Sequence, residues 1–507
     1  MPRTGEVEVR TPTRLRISVA SAFLANACTL LLSIAFLPLY LRLLGPEAFG
    51  LAGLFNMLLG VLGFFDFGLA MALQRECARA RTDAREAKDL RDLARTTEIL
   101  FWASALVVAG LAVVLSPWVA THWFKPHALP AGELTAGLML LGLALGLRWP
   151  YALYTNGLLG LERQLQLNIL RTLFAVFQWA GAAALLAFVA ADIRLFLGWQ
   201  AFVGALLSVV SARLFWRSLP GAGGAFSPAA VKAVSGFSGG VGTSNLVAFA
   251  VGQADKLLLA RLLSLETFGY YALAHSLASA IGQVVGPIAG AVFPRITHRV
   301  STGHGKEARS LYHLGSQAFA ALAVPAAVVM AAFATAILAL WTGDGRAGQQ
   351  AGPVLAVLAL GMAVNGLIHF PQLAQLAHGQ VRLGLQANVV GAILYLPALV
   401  WATSSYGAIG AACCWLALQL AFLTVFVPVA HRQVFPGELA HWYLWSVLAP
   451  GLASGVIAFT LSTLLVPSST PPIEVLVIAL ALASGTVAAV ALSPSARSWL
   501  ISLRRTH

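Results

Sequence analysis

The feature that most constrains this chain is an apolar run of some twenty residues that recurs about fourteen times along its 507 residues. A helix rises 1.5 Å per residue, so about twenty residues cross the roughly 30 Å hydrocarbon core of a bilayer. Such runs fall near 17–43, 48–72, 96–120, 134–159, 168–190, 195–215, 234–263, 267–292, 315–340, 353–377, 383–402, 407–430, 441–466 and 473–493. Lipid-facing strands would need alternation of apolar and polar residues over about ten positions, and no such pattern is present; open backbone cannot face lipid at all. The fold expected is all-α, a polytopic integral membrane protein of about 14 transmembrane helices.

Composition leaves no aqueous alternative. The chain is 59% hydrophobic and 10% charged, with a mean hydropathy of +0.81, whereas soluble domains carry about a quarter charged residues. There is too little polar surface to cover a core of this size. The 32 Lys and Arg against 19 Asp and Glu sit in short loops between apolar runs, not on one basic face, so no nucleic-acid partner is expected. Cys28, Cys77, Cys413 and Cys414 show no metal-ligand spacing and read as small buried hydrophobes. Arg3, Arg10, Arg14 and Arg16 ahead of an apolar stretch resemble a signal peptide, but the stretch from Ile17 to Leu41 is too long for one. It is read as the first span.

Basic residues orient the chain. With both termini in the cytoplasm, 25 of the 32 Lys and Arg fall on the cytoplasmic side; the exceptions are Arg42, Lys125, Arg148, Arg194, Lys256, Arg261 and Arg346. The most charged loop, Gln74 to Arg95, interleaves Arg and Lys with Asp and Glu at helical spacing. It reads as a solvated helix at the headgroups, or else a regulatory or partner surface.

The chain also repeats itself. Residues 42–50, Arg-Leu-Leu-Gly-Pro-Glu-Ala-Phe-Gly, match 261–269, Arg-Leu-Leu-Ser-Leu-Glu-Thr-Phe-Gly, at six of nine positions and a shift of 219. The same shift pairs Asn26 with Asn245, Gly160 with Gly379, and Arg163 with Arg382. Six spans is an even number, so the halves are parallel, related by an axis along the membrane normal as in many secondary transporters. The expected organisation is a cytoplasmic tail (1–16), an N-terminal six-helix lobe (17–217), a cytoplasmic linker (218–233), a C-terminal six-helix lobe (234–430) around a shared central cavity, and two additional helices with a cytoplasmic tail (431–507).

Charged side chains inside spans are costly and mark function by default. Arg148, beside Trp149 and Pro150, is one such residue; Asp255 and Lys256 are the others, standing where the first half has Phe36 and Leu37. An internal ion pair that fixes packing is the alternative. Asp66 suits a gating role or a pairing with Arg75. Arg42 and Arg261 sit at span ends, where snorkelling competes with substrate contact. His275 and His369 could titrate or sit hydrogen-bonded in the core; Asn26, Asn56 and Asn245 are polar cavity candidates. Gly282, Gly286 and Gly290 read as a close-packing face with a bend at Pro287. No P-loop, zinc-protease, nucleophile-elbow or paired-carboxylate pattern is present, so neither an enzyme, a metal site nor an ATP-driven step is expected.

Several of these stretches resemble the Wzx-type oligosaccharide flippases. They are Tyr40-Leu41-Arg42-Leu43-Leu44-Gly45-Pro46-Glu47-Ala48-Phe49-Gly50, Asp66-Phe67-Gly68-Leu69 with Gln74-Arg75, Ala254-Asp255-Lys256 through Leu263, Phe268-Gly269-Tyr270-Tyr271, Phe293-Pro294-Arg295, and Tyr406-Gly407-Ala408-Ile409-Gly410-Ala411-Ala412. The resemblance spans roughly residues 14–430 and implies membership of the multidrug/oligosaccharidyl-lipid/polysaccharide exporter superfamily. It implies alternating access carrying an undecaprenyl-diphosphate-linked oligosaccharide to the periplasmic leaflet of the bacterial inner membrane, for O-antigen or polysaccharide synthesis. A polysaccharide polymerase and chain-length machinery are implied partners, beside the membrane lipids. Arg148 and Lys256 are the residues expected at the headgroup, then Arg42 and Arg261; Asp255 is a candidate for a coupling H⁺ or Na⁺. No cofactor is expected. A lipid II flippase, a drug/cation antiporter of the same superfamily and a membrane glycan polymerase are the competing readings.

Overall fold

The computed structural model describes residues 12–62, 68–79, 84–126, 129–229, 254–380, 382–465 and 471–494, which form helices and no strand. The first half contributes α1 (Pro12–Leu62), α2 (Leu69–Arg79), α3 (Ala84–His122), α4 (Ala131–Arg148), α5 (Pro150–Gly160), α6 (Gln164–Phe188) and α7 (Ile193–Ser218). The second contributes α8 (Ala254–Leu262), α9 (Leu265–Gln283), α10 (Val285–Ser301), α11 (Gly305–Ala332), α12 (Ala334–Thr342), α13 (Gly345–Ala377), α14 (Arg382–Ala421) and α15 (Val427–Val434). After these come α16 (Leu439–Trp442), α17 (Ala449–Leu465) and α18 (Pro471–Leu492). Single π turns at Phe422–Phe426 and Tyr443–Leu448 join α14 to α15 and α16 to α17.

Eleven helical stretches among the described residues are long and apolar enough to cross a membrane. Two of them each hold two of the expected runs, because α1 turns at Gly45 (φ 76°) and α14 at Gly407 (φ 64°) without leaving a loop. Positive φ is the region a Cβ disfavours, so glycine makes the turn possible at both places. At the position matching Gly45 the second half breaks outright, and Ser264 caps α9 by accepting the Thr267 N–H at 3.2 Å. The run 234–263 lies mostly outside the described residues; α8 is its far end.

The chain divides into two compact units. One comprises Met1–Gly45, Leu54–Trp123 and Ala128–Leu246, the other Pro46–Gly53, Phe124–His127 and Val247–His507. In the first unit the segment that leaves α7 is fastened to the start of α3. The Arg91 guanidinium donates to the carbonyls of Trp216, Leu219, Pro220 and Gly223 at 2.8–3.4 Å. Asp92 accepts the Ala225 N–H at 2.7 Å and Thr96 the Ser227 N–H at 2.8 Å. Below them Glu98, buried, accepts from Tyr154 Oη (2.7 Å), Trp216 Nε1 (2.8 Å) and Arg95 (2.5 Å).

In the second unit Pro46–Gly53 packs against α9 with the two backbones touching. A Cβ on Gly50 would lie 2.5 Å from the Leu265 carbonyl oxygen, and one on Gly269 would lie 2.2 Å from that of Pro46. At a shift of 219, Pro46 matches Leu265 and Gly50 matches Gly269, so the repeated motifs meet each other through the same residues read from both sides. Gly282, Gly286 and Gly290 behave otherwise. A Cβ at any of them would meet nothing within 4 Å, so the expected close-packing face has no partner among the described residues. The expected bend is present, between α9 and α10 at Val284, just before Pro287. Helices α17 and α18 pack on α11 through Val329, Phe333, Ala458, Val477 and Ala481.

Candidate functional site

Polar groups inside apolar helices bond to each other or face water, because hydrocarbon offers no partner. In the first unit they assemble around Arg148, the last residue of α4, where Pro150 prevents the helix from running on unbroken. Arg148 is half-buried, and its Nη1 donates to Gln178 Oε1 of α6 at 2.9 Å. Gln178 Nε2 in turn donates to Gln200 Oε1 of α7 at 2.8 Å, and Gln200 is buried. On the other side Tyr151, within electrostatic range of Arg148, accepts from Arg171 Nε at 3.2 Å. Asn168 Nδ2 donates to Ser21 Oγ of α1 at 3.0 Å. Two guanidiniums therefore flank one phenol on a wall built from α4, α5 and α6, and neither has an acidic partner among the described residues. Their contacts to neutral amides and a hydroxyl fix their direction, and no acidic side chain among the described residues compensates either charge.

Arg194, another of the seven exceptions to the charge rule, is engaged elsewhere. It closes a cap at the start of α7, where Asp192 accepts both its backbone N–H at 2.7 Å and its guanidinium at 2.6 Å. The guanidinium hydrogen bond holds the Asp192 carboxyl below its ordinary range, against a small opposing effect of burial.

The second unit repeats this arrangement without its charge. Gln419 stands where the repeat puts Gln200 and is buried like it; Asn365 Nδ2 of α13 donates to its Oε1 at 3.1 Å. The position matching Arg148 is Leu367. Positive charge enters this unit through Lys256, half-buried on α8 and within electrostatic reach of His275 on α9, whose ring stacks on Tyr271 at 6.2 Å. Arg261, Arg42, Asn26 and Asn56 are exposed, as are Asn365 and His369, one turn apart on α13. Hydrocarbon penalises such polar faces.

The structure thus brings Lys256 and His275 together, places Arg148 in a polar chain, and leaves His369 on an exposed face. Asn245, Asp66 and the side chain of Asp255 lie outside the described residues. Sequence reasoning counted Arg171 among the cytoplasmic charges although it lies inside the expected run 168–190, in the second turn of α6, and missed Gln178 and Gln200. The signal for Gln200 was present: the 219 shift that pairs Asn26 with Asn245 also pairs Gln200 with Gln419.

A family model for polysaccharide biosynthesis proteins matches residues 15–299, more than half of the chain. The chain belongs to that family. Among its relatives, a Shigella flexneri protein described as an O-antigen transporter is 23% identical over 385 residues, covering 76% of this chain and 90% of that one. The succinoglycan biosynthesis transport protein ExoT of Rhizobium meliloti (strain 1021) is 28% identical over 370 residues, 71% and 68% of the two chains. This family member shares its fold with the lipid II flippase MurJ in an inward closed conformation (TM-score 0.71, 12% identity, 93% of this chain and 98% of that one). It also resembles an inward-facing multidrug resistance MATE family transporter of the MOP superfamily (TM-score 0.61, 14% identity, 80% and 94%). Both are all-α membrane transporters, and so is the fold found here.

Proposed function

We propose that this protein is a flippase that carries an undecaprenyl-diphosphate-linked oligosaccharide from the cytoplasmic to the periplasmic leaflet of the bacterial inner membrane by alternating access, with both termini in the cytoplasm. The observation that carries this reading is the wall around Arg148 and Arg171: two guanidiniums with no acidic partner among the described residues, aimed by neutral groups, inside a bundle of apolar helices. A guanidinium without a carboxylate is suited to a diphosphate, whose oxygens accept its fork of donors. Lys256 supplies the matching charge in the second unit, with Arg42 and Arg261 exposed nearer the span ends, and Asn26, Asn56 and Asn245 serve the sugar hydroxyls.

The energetics agree. A diphosphate-sugar head cannot enter hydrocarbon unaided, whereas its lipid tail never needs to leave it. With about two negative charges, the head gains roughly 4–5 kcal/mol moving outward across an inside-negative potential of ~100 mV, less whatever charge the wall compensates. Coupling to H⁺ or Na⁺ belongs to the same proposal, with Asp255 and His275 as the groups that would bind the ion and Asp66 and His369 as gating groups. The relatives' roles in O-antigen and succinoglycan transport support the substrate class, and a polymerase would consume the product on the far side. Cationic drug efflux is disfavoured because the wall presents positive charge. The test is replacement of Arg148, Arg171 or Lys256 by Ala in a host that depends on this chain for surface glycan. Export should be lost with protein levels intact; normal export from all three would remove the wall from the mechanism.

A further inference from the structure

Where the C-terminal helices leave the second half, imidazoles crowd around one carboxylate, and transport as read above makes no use of them. Glu438 lies between α15 and α16. Its Oε1 accepts from Arg309 Nη1 at 2.9 Å and its Oε2 from His313 Nε2 at 2.9 Å, both on α11 one turn apart. His431 on α15 is held at both nitrogens. Its Nδ1 lies 2.9 Å from the Val427 carbonyl and must donate there, so its Nε2 accepts the Tyr312 hydroxyl at 3.0 Å. That arrangement fixes one neutral tautomer.

His313 is different. Its side chain is 8% exposed; its Nε2 is committed to Glu438, and its Nδ1 is buried without a hydrogen-bond partner among the described residues. The ring meets the His441 ring of α16 edge to face, with centroids 4.7 Å apart. A buried nitrogen with an empty lone pair direction, next to a second imidazole and a carboxylate, is a place for a proton. Burial alone would raise the Glu438 carboxyl, but its contacts with His313 and Arg309 hold it below the ordinary range, so it stays ionised at neutral pH.

The repeat argues that this arrangement is particular to the second half. At a shift of 219, His313, His431 and His441 occupy the places of Ala94, Ala212 and Ala222. All three imidazoles stand where the first half has a methyl group.

We propose that His313, His441 and Glu438 form a proton-binding site that fastens α16, and through it α17 and α18, more tightly to α11 when occupied. One proton passes from hydronium to His313 Nδ1: an O–H bond breaks, an N–H bond forms, and water is left. The imidazolium then pairs with the Glu438 carboxylate through Nε2–H and presents Nδ1–H to the His441 ring. Of the groups packed around it, Glu438 favours the proton, and Arg309 and a protonated His441 oppose it. Tyr312 and Tyr443 carry no charge, His431 is locked in its neutral tautomer, and His378 lies beyond Phe435.

The test is hydrogen exchange of the full-length protein in lipid nanodiscs, read on peptides covering 435–448 and corrected for intrinsic exchange. Between pH 8 and pH 6 protection of this segment should rise by at least about threefold in the wild type. The rise should vanish in His313→Gln, which keeps a donor for Glu438 without a titrating ring, and shrink in His441→Gln. Peptides covering 84–100 in the first unit report on folding and should not change between variants. A wild type whose 435–448 protection is flat with pH, or a rise that persists undiminished in His313→Gln, overturns the proposal.

Discussion

The two halves of the molecule meet the same mechanical demand with different chemistry. Each must hold the segment leaving its sixth span against the start of its third. The first half does so with Arg91, a permanent cation whose planar fork reaches four backbone carbonyls. The second uses Arg309 and His313 on the Glu438 carboxylate, a tie whose strength depends on protonation. The polar chains inside the bundles differ in the same spirit. Gln200 and Gln419 are repeat partners and equally buried, yet only the first half continues its chain to an arginine. The repeat partners share the buried glutamine, and the charge attached to it differs.

The largest effect that would sharpen this contrast is on export. Arg148→Ala combined with Arg171→Ala removes two charged hydrogen-bonding partners, together roughly 3–6 kcal/mol. Surface glycan should fall by about a hundredfold or more, while Asn365→Ala in the second half costs less than about threefold; equal losses would erase the asymmetry. Next is the first tie. Arg91→Ala should lower unfolding stability by roughly 2–3 kcal/mol in a detergent-based denaturation assay, and Arg91→Lys should restore less than half of that, because an ammonium cannot span four carbonyls.

Smaller effects probe the glutamines. Gln200→Leu leaves the Gln178 amide without its acceptor and should cost about 1–2 kcal/mol. Gln419→Leu should cost less, because Asn365 is exposed and water can take over. Smallest is Glu438→Gln, at or below about 1 kcal/mol for a partly exposed pair. Its pH dependence follows from the sign of the shift. The folded-state carboxyl lies below its ordinary value, so its contribution is complete above about pH 4.3 and disappears as pH falls through the lowered value. Wild type and variant should therefore converge in acid; a difference that persists undiminished there would show that the carboxylate's charge is not what holds the joint.

Much of this was legible before any coordinates. Apolar run length gave the all-α membrane fold, and the 42–50/261–269 match gave a repeat; that the two motifs meet through Gly50 and Gly269 was not legible in it. What a one-dimensional pattern could not show is which neighbour a residue faces. Gly282, Gly286 and Gly290 have the spacing of a packing face, yet no described helix approaches them, because small residues permit contact without creating it. Arg171 was counted with the cytoplasmic charges although it lies near the start of the run 168–190; the sequence could not show that, from the second turn of α6, it would reach Tyr151. The histidine cluster was invisible because its members come from α11, α15 and α16, more than a hundred residues apart for His313 and His441.

The most direct test of the central claim is the leaflet in which the substrate's head resides. In everted inner-membrane vesicles, lipid-linked oligosaccharide synthesised on the exposed cytoplasmic face can be labelled by a membrane-impermeant sugar-oxidising reagent. With the wild-type chain the labelled fraction should fall with time as heads move into the lumen. With Arg148→Ala and Arg171→Ala combined it should stay where it began. Loss of labelling at the same rate with and without the chain would contradict a flippase.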